Sequence, residues 1–250
     1  ECYRAERCLT ATATVAGATT VYVWLRDGSG NVNHANRAAT TIRWDPTLPT
    51  VTVVANAGDA YTSQTSVTFA LTASDAHSGM GAGASMRFSN DGAAWSPWEP
   101  FSATRGGWDV TAFGGSAAEG AKTVRAQVRD VAANPSATLT DAITYTTAIR
   151  LMAPANGSAL AAAPTFRWTD GTSSHYAIEF SLSGFATVRF GTFANKGIDI
   201  FGTRFTLLAA FWNKVPRGRV ISWRVRGADS TGGLASPDQA STDTFTFTRP

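Results

Sequence analysis

Short segments in which apolar and polar residues alternate recur along the whole chain. Their two-residue period is typical of half-buried β-strands, whereas an amphipathic helix repeats every 3.6 residues. The alternation predicts strands over residues 20–25, 66–72, 123–129, 165–168, 176–180, 220–225 and 243–248. Clusters of Gly, Asn and Asp separate these segments and predict turns. One compact apolar run, residues 207–213, predicts a single helical turn, so the fold class is all-β.

One pattern occurs three times: a long alternating strand, an aspartate, a Gly- or Asn-containing turn and a second strand. The aspartates are Asp27, Asp130 and Asp229, at intervals of about 100 residues. This interval fits a β-sandwich of about seven strands, with the repeated pattern as its last hairpin. Each aspartate is predicted to accept hydrogen bonds from backbone amides of its turn, rather than to bind calcium.

Two proline-containing segments, residues 44–49 and 149–158, mark boundaries between the repeats. They divide the chain into the C-terminal part of one sandwich (1–45), a complete sandwich (46–148) and a second complete sandwich (149–250). The first part is long enough for three strands but too short for a closed sandwich. We expect more sequence upstream, in preference to strands supplied by another chain.

Several motifs carry a resemblance to known domains. Segments 74–80 (SDAHSGM), 86–92 (MRFSNDG), 95–101 (WSPWEPF) and 128–130 (VRD) resemble the Ig-like repeats of large secreted and surface proteins of bacteria. Segments 164–168 (PTFRW), 176–181 (YAIEFS) and 223–226 (WRVR) are similar to bacterial fibronectin type III-like domains. The resemblance implies tandem immunoglobulin-like and fibronectin type III-like β-sandwiches. Ala133 departs from it, because these repeats have Gly in that place, and a remodelled turn is expected there.

Charge and composition argue against several functions. The net charge is +3, but the cations are scattered without the basic stripe that nucleic-acid binding needs. The arginines of segment 124–129 are predicted to lie on a solvated strand face. No apolar run approaches the roughly 20 residues of a membrane-spanning helix. His34, His77 and His175 fall in three different units, and no nucleophile or metalloprotease motif accompanies them. We therefore expect no enzymatic activity, no catalytic residue and no required cofactor.

Acidic residues near loop ends raise calcium as the one cofactor to consider. Asp75, Asp91 and Asp130 carry the oxygen ligands that hard cations prefer. They are isolated in the sequence rather than arranged in a dedicated loop, so turn formation is the favoured interpretation.

Trp95, Trp98 and Trp108 are dense for one region and could form a platform for a sugar ring or a protein partner. The spacing of Trp95 and Trp98 puts them on opposite faces of an extended strand, so at least one should enter the core. Core or inter-sheet packing is the favoured interpretation for all three. Core packing is also predicted for the remaining strand and helix tryptophans, Trp24, Trp168, Trp212 and Trp223.

Cys2 and Cys8 are the two cysteines of the chain. Their closeness predicts a local disulfide in an oxidising compartment, because two thiols are too few for a structural zinc site.

The resulting functional hypothesis is structural. The chain is predicted to be a non-catalytic extracellular spacer segment of a larger bacterial surface, secreted or filament protein. Its expected partners are other domains of the same chain or neighbouring copies. The alternatives are an adhesive module that binds a glycan or protein, and accessory domains of a secreted hydrolase.

Overall fold

The structure is a computed structural model that describes residues 12–188, 190–237 and 239–250. Cys2 and Cys8 lie outside the described residues, so their disulfide stays a prediction. Strands dominate, which confirms the all-β prediction. The strands are β1 Gly17–Arg26, β2 Val32–Trp44, β3 Thr50–Ala55, β4 Tyr61–Thr62, β5 Ser66–Ser74, β6 Ser85–Ser89, β7 Glu99–Pro100, β8 Thr104–Asp109, β9 Gly120–Arg129, β10 Leu139–Tyr145, β11 Leu151–Ala153, β12 Ser158–Ala159, β13 Thr165–Trp168, β14 His175–Ser181, β15 Phe190–Gly191, β16 Ile200–Phe201, β17 Arg204–Thr206, β18 Val220–Ala228, β19 Gln239–Ala240 and β20 Phe245–Thr248. The helices are α1 Thr192–Lys196, α2 Ala209–Trp212 and the 3-10 turns Asn56–Gly58 and Gly232–Ala235.

The first part is a two-stranded hairpin in which β1 and β2 pair antiparallel. Its turn forms as predicted, because the Asp27 carboxylate accepts the backbone amides of Ser29 and Asn31, each at 2.9 Å. Both faces of the hairpin are largely exposed, with Leu25 86% exposed. Trp24 is half-buried against His34 rather than in a core, so the core prediction for Trp24 is wrong.

The second part, from β3 to β10, contains two packed sheets. One has the order β3-β5-β8 and the other β4-β10-β9-β6-β7. Alternate residues of each strand enter the core between them, as in β5, where Val67, Phe69 and Leu71 are buried. Phe69 stacks on Phe88 across the core with ring centroids 5.1 Å apart. Burying a side chain of this size stabilises a fold by about 1.5–3 kcal/mol, so this core holds the unit together.

The third part, from β11 to β20, has its own core. A sheet of order β11-β13-β17 faces a larger sheet of order β12-β20-β18-β14-β15, to which β16 and β19 add short pairings. Phe166 and Trp223 meet edge to face with centroids 4.7 Å apart. Trp168, Trp212 and Trp223 are buried as predicted, and α2 supplies the predicted helical turn.

The turn after β9 keeps the geometry of the first hairpin despite its alanine. Ala133 has a φ of 69° and donates its amide to the Asp130 carbonyl, as Gly30 does to Asp27. The carboxylate of Asp130 accepts the Asn134 amide and side-chain nitrogen at 2.9 and 2.8 Å. The expectation of a remodelled turn is therefore wrong, because these hydrogen bonds hold Ala133 in a left-handed conformation that usually favours glycine.

Candidate functional site

Two tryptophans and two arginines form a stack on the outer face of the second part. The guanidinium carbon of Arg87 lies 4.5 Å from the ring centroid of Trp95 and 4.6 Å from that of Trp98. The Arg129 guanidinium lies 4.0 Å from the Trp98 ring. Positive groups over indole faces make cation–π contacts, so the stack fixes the irregular segment that joins β6 to β7.

Strand register brings the two arginines together. Arg87 on β6 pairs with Gln127 on β9, which puts Arg129 in the diagonal position on the same face. Arg87 donates to Gln127 Oε1 from Nε at 2.9 Å and from Nη2 at 2.6 Å. Partial burial, together with the nearby charge of Arg129, lowers the pKa of Arg87. The predicted solvated face of β9 is thus partly covered by indole rings.

The predicted tryptophan platform does not form as a set of three. Trp108 is 2% exposed and donates its indole nitrogen to Asn90 Oδ1 at 2.9 Å. It packs in the core against Phe88, which is the interpretation that the sequence favoured. Trp95 and Trp98 are half-buried and contact the same arginine, so the expected opposite orientation is wrong. The reason is that the segment joining β6 to β7 is not a strand at these residues, so successive side chains do not alternate between two faces of a sheet.

Three carboxylates meet where the first part joins the second. Ligand oxygens of Asp45, Asp75 and Asp130 all lie within 4.8 Å of one another. Two of the residues considered for calcium are therefore close together, whereas Asp91 is not in the cluster and accepts the amides of Ala93 and Ala94. Calcium binding by this cluster stays a prediction.

Protein donors surround these carboxylates. Asp75 Oδ1 accepts the amides of His77, Ser78 and Gly79, each at 3.0 Å. The Gly79 bond contributes most to lowering the pKa of Asp75, although burial and the charge of Asp45 oppose it. Hydrogen bonds from Ser78 and Thr47 lower the pKa of Asp45.

The same cluster ties the linker to the second part. Asp45 belongs to the proline-containing segment, and its Oδ2 accepts the Ser78 amide at 2.9 Å. The Asn134 side chain donates to the Asp45 carbonyl at 3.0 Å. The Thr47 hydroxyl donates to Asp75 at 2.9 Å. Linker and loop ends are therefore joined by several hydrogen bonds rather than by chain connectivity alone.

A second junction connects the second part to the third. Arg167 on β13 makes a two-point contact with the Asp59 carboxylate, at 3.1 and 2.7 Å. The Gln64 side chain donates to Asp170 Oδ2 at 2.9 Å. Because a planar guanidinium binds a carboxylate at two points, it fixes the relative orientation of the two side chains as well as the distance between them.

Residues near the boundary between the second and third parts make further contacts beside this second junction. The Thr147 amide and hydroxyl both donate to the Glu119 carboxylate, the amide at 2.6 Å, which lowers the pKa of Glu119. Arg150 lies over the Tyr61 ring at 5.2 Å and pairs with Asp243 at 2.9 Å. Of these contacts, the one between Arg150 and Tyr61 joins the third part to the second, whereas the other two lie within one part.

The histidines have separate local surroundings. His34 packs edge to face on Trp24, and His77 lies 3.8 Å from Asp45. His175 pairs with Asp199 at 2.8 Å, and Asp199 also accepts the Thr231 hydroxyl. Burial raises the pKa of Asp199, but the hydrogen bonds from Thr231 and His175 outweigh it and leave it lowered. The sequence carried no signal for this pair, because its members come from distant segments.

Comparisons with known proteins find distant structural matches only. No protein-family model matches the chain, and no curated protein matches it. Among solved structures, the fibronectin(III)-like modules of Clostridium thermocellum CbhA match with a TM-score of 0.27 and 13% identity, over 79% of this chain and 94% of that one. Chicken CNTN1 FN1-FN3 domains match with a TM-score of 0.29 and 11% identity, over 91% and 76%. A two-domain fibronectin type III segment of chicken tenascin matches with a TM-score of 0.26 and 10% identity, over 78% and 95%.

These solved structures are of fibronectin type III modules. At such low similarity, no functional property of those proteins is carried over to this chain. Among the described residues, no helix combines the length and the apolar character needed to cross a bilayer.

Proposed function

We propose that this chain is a non-catalytic spacer that holds successive β-sandwich units in a fixed relative orientation. The observation that carries the proposal is the second junction, where Asp59 and Arg167 bind at two points while Gln64 and Asp170 bond beside them. Units joined only by a flexible linker would reorient freely, since relative motion is the default for small interfaces between domains. Several contacts across one junction restrict rotation about the linker.

The proposed setting is extracellular, within a larger surface, secreted or filament protein of bacteria. The resemblance of segments 74–80 and 95–101 to repeats of such proteins supports this setting. The proposed partners are the flanking domains of the same chain or neighbouring copies. Enzymatic activity forms no part of the proposal.

An adhesive function through the tryptophans is the alternative. It is less favoured, because Trp95 and Trp98 already stack on Arg87 and Trp98 also contacts Arg129. An indole ring covered by a guanidinium has less free face for a sugar ring or a partner side chain. A glycan array probed with the chain and with its Trp95→Ala variant tests this alternative, which requires a signal that the variant loses.

Nitrogen-15 relaxation of the whole chain tests the spacer function. We expect the second and third parts to show the anisotropic tumbling of one elongated body. In Asp59→Ala they should tumble more independently, whereas the control Arg219→Ala, which replaces an exposed arginine that makes none of the junction contacts, should change nothing. Independent tumbling of the two parts in the unmodified chain would overturn the proposal.

A further inference from the structure

A cavity of about 350 Å³ opens at one edge of the third part. Among the described residues, β15 has two residues and pairs with β14 at Glu179 and Phe180, so little strand pairing is seen at this edge. Helix α1 contributes Lys196 and helix α2 contributes Phe211 to the lining of the cavity beside this edge. The volume falls within the roughly 300–1,000 Å³ of pockets that bind small molecules.

The inner surface of the cavity is apolar and continuous with the core. Phe180, Ile221 and Phe247 line it and are each at most 8% exposed. Phe190 and Phe211 add two more aromatic rings, with centroids 5.8 Å apart. Water gains few hydrogen bonds against such walls, whereas an apolar chain of suitable size would be stabilised there.

Lys196 and Lys214 are the charged residues of the described lining, and no carboxylate lines the cavity with them. Lys196 Nζ lies 5.7 Å from the centroid of the Phe211 ring, which puts its charge beside the apolar wall. Neither lysine belongs to a salt bridge among the described residues. The lining therefore combines an apolar interior with uncompensated positive charge.

We propose that this cavity binds a small monocarboxylate with an apolar tail, such as a free medium-chain fatty acid. The tail occupies the space between the aromatic rings, and the carboxylate lies near Lys196 and Lys214. Charge complementarity selects this occupant: a neutral amphiphile would leave the lysines unpaired, and a cationic one would be repelled. The site is independent of the spacer function, because neither junction contributes a lining residue.

Calorimetric titration of the full chain with three ten-carbon probes tests the proposal. Decanoate should bind with one-to-one stoichiometry, decan-1-ol at least fivefold more weakly, and decyltrimethylammonium without saturation. Methyl resonances of Leu207 and Ile221 should shift during the decanoate titration, since both residues line the cavity. Equal affinity for decanoate and the alcohol would overturn the proposed role of the lysines.

Variants locate the site. Lys196→Met and Lys214→Met should each raise the Kd for decanoate about three- to fivefold and leave that for the alcohol unchanged, as expected for exposed charge pairs. Arg219→Met, which removes an exposed charge outside the lining, is the matched control. Val215→Trp should fill the cavity and abolish binding of both probes.

Unchanged decanoate binding in the two lysine variants, or in folded Val215→Trp, would refute the assignment. An equal loss in Arg219→Met would show nonspecific attraction to a positive surface and would also refute it. If Val215→Trp does not fold, the lysine variants and the methyl shifts still decide the outcome, because Lys196 and Lys214 are exposed and their loss spares the core.

Discussion

Replacing Arg87 by methionine removes the centre of the tryptophan–arginine stack while keeping an unbranched side chain over the indoles. The loss includes two cation–π contacts, worth about 0.5–1 kcal/mol each at partly exposed sites. It also includes the hydrogen bonds to Gln127, which add about 1–1.5 kcal/mol. Relief of repulsion with Arg129 offsets part of this sum. We expect Arg87→Met to lower the free energy of unfolding of the second part by about 2 kcal/mol.

Urea unfolding followed by hydrogen exchange measures this loss separately for each part of the chain. Core amides of β6 and β9 should lose protection in Arg87→Met, while those of β14 and β18 in the third part should be unaffected. Arg87→Lys should lie between the two proteins, because an ammonium keeps the charge but lacks the planar group that fits between rings. Unchanged protection of Phe88 and Val128 in Arg87→Met would refute the stabilising role of the stack.

Three further outcomes follow from the turns and junctions. Ala133→Gly should raise the free energy of unfolding of the second part by about 0.5–1 kcal/mol in urea unfolding, because glycine adopts the positive φ without strain and this gain exceeds the cost of the greater conformational entropy of the unfolded chain. A decrease in the free energy of unfolding would contradict this prediction. A double-mutant cycle on Asp59 and Arg167 should give a coupling of about 0.2–1 kcal/mol, because the pair is partly exposed, and zero coupling would count against the contact. The pKa values of Asp45 and Asp75 are lowered in the fold. The contribution of these two carboxylates to the free energy of unfolding is therefore complete above about pH 4, and it is lost as pH falls through their folded pKa values. Amide chemical shifts of the linker should therefore change below about pH 4, and shifts that move only above pH 5 would contradict this origin.

Much of the fold could be predicted from local pattern. Each predicted strand overlaps an observed strand, because period-two alternation directly reflects one buried and one exposed face. The prediction of core packing succeeds for Trp168 and Trp223 for the same reason. It fails for Trp24, because the hairpin β1–β2 has no second sheet over it among the described residues.

The candidate site depends on features that local pattern does not contain. Trp95 and Trp98 lie in an irregular segment, and Arg129 reaches Trp98 only through the register of β6 against β9. Single arginines on alternating strands give no sign of which neighbour they will meet. The turn at Ala133 shows the same limit, since the hydrogen bonds that join Asp130 to Ala133 and to Asn134 override the conformational preference of Ala133.

Pulsed electron paramagnetic resonance distances between the second and third parts test the spacer account most directly. Spin labels at Thr140→Cys and Ala162→Cys, both exposed positions, would be placed in a Cys2→Ser, Cys8→Ser background. The account predicts one narrow distance distribution that broadens when Arg167→Ala is added. A broad distribution in the labelled chain with Arg167 intact would contradict a fixed orientation of the two units.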